Sequence, residues 1–444
     1  MDFLRRLQHL MRRPLFRRIV ILRLFSQGGD SMIQVGMASY VLFNPQSQAS
    51  GPAIAAVLAI TMLPFSVVGP FLSELLDRFS RQRITIVCDA SRIVLCVAMA
   101  VAVASGATVG VGQILLMMLL LFALSINRLQ LAGLSAGLPF TIEKDEYVEA
   151  VSLMPMLGPI AAVAGGGAAA IARITVGNAW GANQADGFLF CLAAVCFAGA
   201  VWLALGIGRR ELGPTHAKLG PGARSVLSGL VDAGKNLWQT RPAFWAIATV
   251  FFARMCWGAL IVSVVLLYRH HFHDSTQEAA AMVDMAAWFG LAGFGFALCG
   301  VLVTPASRSF GIRKTVIGLL LASALTLVLP AAWLSPISLL FSGLLIGLLA
   351  QSIKACGDTI VQAHATDRYR GRVMVIYDIF NNLGIVVGAL IAGFTLPADG
   401  ASTAAFWAMI CWFLVVAAIF TVVSAKSPET YDRGTTRSQS SRSL

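Results

Sequence analysis

The sequence predicts an all-α integral membrane protein in which twelve transmembrane helices form two pseudo-symmetric six-helix bundles. Three observations carry that prediction. Of the 444 residues, 57% are hydrophobic and only 12% charged, where soluble domains carry about 25% charged residues, and the mean hydropathy is +0.78. Apolar runs of roughly 20 residues, enough to cross about 30 Å of hydrocarbon as a helix, recur along almost the whole chain. Lys and Arg gather in alternate connecting segments, the pattern of loops retained in the cytoplasm.

Residues 1–18, MDFLRRLQHLMRRPLFRR, mix basic residues with Phe3, Leu4, Leu7 and Leu10 and read as a cytoplasmic amphipathic helix lying on the inner leaflet. The apolar run after them is too long for a signal peptide. The N-terminal bundle, residues 19–208, takes spans near 20–42, 52–76, 84–105, 110–136, 149–174 and 187–208. The first span is polar in its middle, with Gln27, Gly28, Gly29 and Asp30, and the fifth is rich in small residues, including Gly158, Gly165, Gly166 and Gly167. Residues 209–242 form a cytoplasmic linker, with Val226, Leu230, Gly234, Leu237 and Trp238 at the spacing of an interfacial helix. The C-terminal bundle, residues 243–425, takes spans near 243–268, 284–306, 315–333, 337–362, 373–396 and 403–425, and residues 426–444 form a polar, disordered cytoplasmic tail.

The net charge of +12 is explained by this topology, so nucleic acid is not an expected partner. The N-terminus, DRFSRQR, Arg209–Arg241, SRSFGIRK, DRYRGR and the tail hold nearly all the basic residues, while NPQSQASG, NAWGANQADG and LPADGAS hold essentially none. Both termini are therefore expected in the cytoplasm of a multi-pass cell membrane protein. The eight cysteines all fall in apolar runs without a CxxC pair and read as small core residues, not zinc ligands or disulfides. No metal site is expected. The cluster His270, His271 and His273 with Asp274 has the residue types to bind metal or sense pH, and equally those of an interfacial anchor. GLSAG (Gly133–Gly137) lies in an apolar helix, not on the strand that a hydrolase elbow needs. GLVDAGKN (Gly229–Asn236) lacks the Ser or Thr of a phosphate loop. Neither an enzyme nor an ATP-driven pump is expected.

Ionisable residues at bilayer depth are functional candidates by default. At about 1.5 Å per residue, Asp30 lies near the midplane and Arg254 at matching depth in the first helix of the second half, while Arg23 can snorkel to the cytoplasm. Asp30 and Arg254 are expected to face one cavity, Asp30 exchanging a proton or holding a cationic substrate and Arg254 balancing it. Asp89 with Arg92, and Lys354 with Asp358, have the spacing of same-helix pairs and read as structural or gating charges nearer the cytoplasmic side.

The segment GPFLSELLDRFSRQR, Gly69–Arg83, resembles the conserved loop of the major facilitator superfamily, and is especially similar to its drug- and siderophore-exporter branch, although Ser73 and Ser80 stand where glycines are common. The segment DRYRGRVMVIYDIFNNLG, Asp367–Gly384, is similar to the same branch. The resemblance spans about residues 18–425 and implies the major facilitator fold, alternating access and proton-driven export of a small amphipathic compound by a monomer in a bacterial cytoplasmic membrane. The proton gradient would be the energy source, with no cofactor. It gives Asp77, Arg78, Arg81, Arg83, Arg370, Gly371 and Arg372 gating roles. Arg128 and Gln130, in LSINRLQLAGLSAG, loosely match a fourth-helix motif associated with proton transfer; pairing with a carboxylate for packing is the alternative. The small residues of the fifth span, and the pair Gly384 and Gly388, suit either an antiporter helix or ordinary close packing. Lysolipid transport and a non-transporting membrane sensor are the other functions the pattern admits.

Overall fold

The structure, a computed structural model, describes residues 11–43, 50–67, 79–105, 111–142, 147–209, 211–213, 223–274, 277–366, 369–426 and 428–431. Asp77, Arg78 and the rest of the loop before Phe79 lie outside the described residues, as do residues 1–10 and 432–444. The chain forms α1 (Pro14–Phe43), α2 (Gly51–Val67), α3 (Arg81–Ala104), α4 (Val111–Gly137), α5 (Tyr147–Trp180) and α6 (Ala182–Leu205). A linker helix α7 (Ala223–Gln239) leads to α8 (Arg241–Leu266), α9 (Glu278–Phe310), α10 (Ile312–Ala332), α11 (Pro336–His364), α12 (Arg370–Thr395) and α13 (Thr403–Ala425). No strand occurs among the described residues. Ten of these helices, α3 to α6 and α8 to α13, are long and apolar enough to cross a bilayer. The 30 residues of α1 are interrupted by polar side chains, and α2 is described over only part of the expected span. Each of the twelve expected spans overlaps a helix, the second over residues 52–67.

These helices are built inside out relative to a soluble bundle. In α3 the buried positions Cys88, Asp89, Arg92, Cys96, Met99 and Val103 recur every three or four residues, while Val87, Val94, Val97 and Val101 are exposed. Hydrocarbon solvates valine well and charge badly, so the polar stripe turns inward and the apolar stripe outward.

Two compact units emerge, Met1–Gln48 with Val67–Val226, and Ala49–Ser66 with Leu227–Leu444. Within the first, α1 packs on α5 and α6, and α3 on α4 and α6. Within the second, α8 packs on α12 and α13, and α10 on α11 and α13. First-to-fifth, first-to-sixth, third-to-fourth and third-to-sixth contacts thus recur, so the halves share an internal arrangement that their sequences echo only weakly. The unit boundary differs from the expected one because residues 49–66 group with the second unit. Gly51 and Gly393 explain this, since a Cβ on Gly393 would lie 2.6 Å from the Gly51 carbonyl oxygen; two glycines allow the backbones to touch.

Helix ends follow local chemistry. Ser335 and Ser338 form a reciprocal capping box at the start of α11, with Pro336 at the first turn. Gly181, at φ +97°, breaks α5 from α6 in a conformation that other residues rarely adopt. In α7, Ala233 and Leu237 are buried while Trp238 is exposed. Past α13 the chain does not leave at once: Tyr431 is buried, its ring 5.7 Å from that of Phe420, and the expected disorder does not begin at residue 426. All eight cysteines are free; Cys191 and Cys411 are exposed helix-surface residues rather than core.

Candidate functional site

The first unit encloses a polar cluster built by three helices. Helix α1 brings Ser26, Gln27 and Asp30, α3 brings Asp89 and Arg92, and α4 brings Asn127 and Gln130. Spacings of three or four residues put each helix's contributors on one face. Apart from Gln27, all are buried, with Asp89 and Arg92 inaccessible and Asp30 2% exposed. Arg92 Nη1 donates to Asp30 Oδ1 at 2.9 Å, and Nη2 donates to Ser26 Oγ at 2.6 Å and to Asp89 Oδ1. Gln130 Nε2 donates to Asp89 Oδ2 at 2.5 Å, while Ser26 Oγ donates to Gln130 Oε1 at 2.9 Å. Gln27 Nε2 donates to Asn127 Oδ1 at 3.0 Å. Phe197 of α6 covers the guanidinium, 4.3 Å from ring centroid to Cζ. Gly29 makes room for that ring, because a Cβ there would come within 2.9 Å of it.

Two carboxylates are thus bonded directly to one guanidinium. Arg128, half-buried on α4, is the next cation and acts on Asp30 through its field. A planar guanidinium can hold two carboxylates at once, which an ammonium on a single point cannot. Proton exchange at such a cluster changes its net charge by one unit inside a low-dielectric bundle, and so changes which packing of the helices is favoured.

Asp30 is bonded by Arg92, which the spacing paired only with Asp89; the long Arg side chain lets α3 reach the level of Asp30, although spacing alone sets Arg92 nearer the cytoplasm. Arg254, 4% exposed, lies in the second unit, donating from Nε to Asn381 Oδ1 at 2.9 Å and from Nη2 to Gln351 Oε1 at 3.0 Å. Lys354 and Asp358 form the expected pair at 3.2 Å, extended by Asp378 at 3.7 Å from Lys354. Tyr377 ties the two helices by donating to the Lys354 carbonyl at 2.8 Å.

Among the expected gating residues, Arg81 donates to the Leu212 carbonyl at 2.8 Å and lies over the Phe140 ring, fastening the start of α3 to the segment after α6. Arg83, Arg370, Gly371 and Arg372 are exposed. Arg372 crosses the linker helix at Gly229, where a Cβ would meet its guanidinium at 2.7 Å. Two of the histidines lie beside different acids, His273 2.9 Å from Asp284 and His271 3.9 Å from Asp399.

Sequence reading missed Arg173 and Asp186, an ion pair of 2.6 Å between α5 and α6. The polar neighbours of Asp186 read as a loop, yet α6 begins at Ala182. The Arg within an otherwise apolar run was the available signal. Breaking a buried pair by removing one partner costs at most about 3–5 kcal/mol, so Asp186→Ala is expected to destabilise the α5 and α6 contact within that bound. Asp186→Asn, which keeps an acceptor for Arg173, should cost less; thermal unfolding of the two variants in detergent checks the order.

Comparison with known proteins agrees with this architecture. A model of the Major Facilitator Superfamily matches residues 284–443. The chain is 28% identical over 390 residues to an uncharacterized MFS-type transporter of Mycobacterium tuberculosis and, to the same extent, to one of Mycobacterium bovis; each alignment covers 87% of this chain and 86% of the relative. The fold is similar to the crystal structure of the nucleoside transporter NupG, with TM-score 0.67 at 14% identity over 92% of this chain and 99% of that one. A peptide transporter POT crystallised with sulfate gives TM-score 0.63 at 14% identity, covering 95% of both chains.

Proposed function

We propose that this chain is a transporter of the Major Facilitator Superfamily, a secondary active carrier that expels small amphipathic compounds in exchange for protons. The observation that carries the reading is the Asp30, Asp89 and Arg92 cluster: two buried acids on one directly bonded cation, at the centre of a helix bundle. Such groups are costly in hydrocarbon and are retained where they serve transport. Asp30 is the residue we assign to the proton, because among the described residues its carboxylate holds Arg92 and a long 3.4 Å contact from Gln27, whereas Asp89 is bonded by both Arg92 and Gln130. In the outward step Asp30 would take up a proton and loosen Arg92; in the inward step it would release the proton and recapture the guanidinium. Export rather than import follows the resemblance of the Gly69–Arg83 and Asp367–Gly384 segments to the exporter branch. The alternation of basic segments orients both termini to the cytoplasm.

The test is reconstitution in liposomes with an entrapped pH indicator and a panel of lipophilic fluorescent dyes. Wild-type protein should move a dye against its gradient when the lumen is acidified, with protons leaving as dye enters, and a protonophore should abolish this. Asp30→Asn is expected to lose gradient-driven accumulation while keeping exchange of dye for dye. Full gradient-driven accumulation by Asp30→Asn would remove the assignment. Movement of a fluorescent lysolipid instead of the dyes would favour a lipid carrier, and no flux of either would favour a sensor.

A further inference from the structure

Arg254 presents an electrostatic problem that the second unit does not solve. It lies at the middle of α8, a helix that is 78% buried over its most apolar stretch. Its two hydrogen-bond partners, Asn381 and Gln351, are neutral amides. Its third contact is the face of Phe296, 5.6 Å from Cζ to centroid. Amides and rings orient a guanidinium and give it some attraction, but neither cancels its charge. Asp358, a carboxylate whose field reaches it, is already bonded by Lys354. Nη1 has no acceptor among the described residues. The side chain is pre-oriented and incompletely used, the condition of a recognition group awaiting a partner.

The surroundings describe that partner further. One helical turn along α8, Trp257 stacks with Trp288 of α9, centroids 5.7 Å apart at 21°, and packs against Phe296 at 5.2 Å. Beside Arg254 lies a cavity of about 10 Å³, room for one water, lined in part by Ala253, Trp257, Ser323, Ile353 and Phe413, so the apolar body of a ligand needs this wall to open. One fixed cation next to an aromatic and aliphatic wall matches an amphipathic acid, with its anionic group on the guanidinium and its apolar body along the wall.

We propose that Arg254 is the recognition point for an anionic group, carboxylate or phosphate, on the compound that this protein carries, with Trp257 and Phe296 as its aromatic platform. The assignment rests on the chain being a carrier of small compounds and narrows that cargo to acids. Asn381 and Gln351 are positioning residues, holding the guanidinium so that Nη1 is left for the ligand.

Binding, not flux, tests it, so that failure of transport and failure of this site give different results. Tryptophan fluorescence of the purified full-length protein in detergent would be titrated with 1-naphthoate and with the uncharged 1-naphthalenemethanol. Wild type is expected to bind the anion about tenfold more tightly, a difference of about 1.4 kcal/mol. In Arg254→Gln the two probes should bind alike. A second variant, Asn381→Asp, supplies a carboxylate in place of the amide that already meets Nε, neutralising Arg254 without removing it. It too should lose the preference, and thermal unfolding confirms that it is folded. Displacement of naphthoate by lysophosphatidylglycerol but not lysophosphatidylcholine identifies a lipid headgroup as the source of the anion; displacement by neither identifies a soluble acid. Equal binding of both probes by wild type, or a preference that survives in folded Asn381→Asp, overturns the proposal. Binding with the expected preference but no flux in liposomes leaves the site standing and removes the carrier reading.

Discussion

Arg92→Met is expected to produce almost no folded protein. The substitution preserves much of the side chain's volume and apolar stem but deletes the guanidinium that Asp30, Asp89 and Ser26 share. Two carboxylates would then face one another in the bundle interior with no directly bonded cation. Stripping one partner from a buried ion pair costs about 3–5 kcal/mol, and here one deletion strips two acids, against a total stability of only about 5–15 kcal/mol for a typical domain. Arg92→Lys should recover little, because a single ammonium cannot reproduce the fork that reaches both acids and Ser26. The triple variant Asp30→Asn, Asp89→Asn and Arg92→Gln separates stability from coupling. With no charge left at the contact, amides can satisfy one another, so folding should return while gradient-driven transport does not. Size-exclusion chromatography and thermal unfolding read the first property and the liposome assay reads the second. A well-folded Arg92→Met protein with wild-type transport would show that the cluster is dispensable.

Which parts of this arrangement were legible in the sequence has a physical explanation. Span positions were, because hydropathy reports whether a segment tolerates hydrocarbon, and that property is local. Asp30 stood out for the same reason, as a charge where charge is expensive. Its partner did not. Arg92 lies 62 residues away, and its spacing to Asp89 gives a complete same-helix pair that conceals the third member. Gln130 falls in a loosely fitting motif whose conspicuous member is Arg128, although Gln130 makes the bond to Asp89. For Arg254, depth was legible but surroundings were not, since Asn381 and Gln351 are neutral residues in helices distant along the chain. The grouping of residues 49–66 with the second unit was also hidden, because it depends on Gly51 meeting Gly393 and no local pattern encodes that meeting.

Glycines give the second large expected effect, and the structure distinguishes residues that look alike in sequence. Gly384 and Gly388 suited either function or packing; both lie against α8. A Cβ on Gly384 would come 2.5 Å from the Phe251 carbonyl oxygen, and one on Gly388 would overlap the Met255 carbonyl. In the opposite direction, a Cβ on Gly258 would overlap the Ile385 carbonyl. Because the obstructing atoms are backbone, no rotamer change can relieve them, and the helices must separate. Gly388→Leu is therefore expected to cost more than the roughly 1–3 kcal/mol of ordinary overpacking. It should also weaken naphthoate binding, since parting α8 from α12 draws Arg254 away from Asn381. Gly165 of α5 is the counterpart in the first unit, where a Cβ would lie 2.5 Å from the Gly28 carbonyl oxygen, whereas no described residue lies within 4 Å of a Cβ on neighbouring Gly167. Gly167→Ala should thus raise stability by about 0.4–1 kcal/mol through reduced freedom of the unfolded chain, while Gly165→Ala lowers it. Melting temperatures of these three variants test the distinction, and a Gly388→Leu protein as stable as wild type would mean that α8 and α12 are not packed through these glycines.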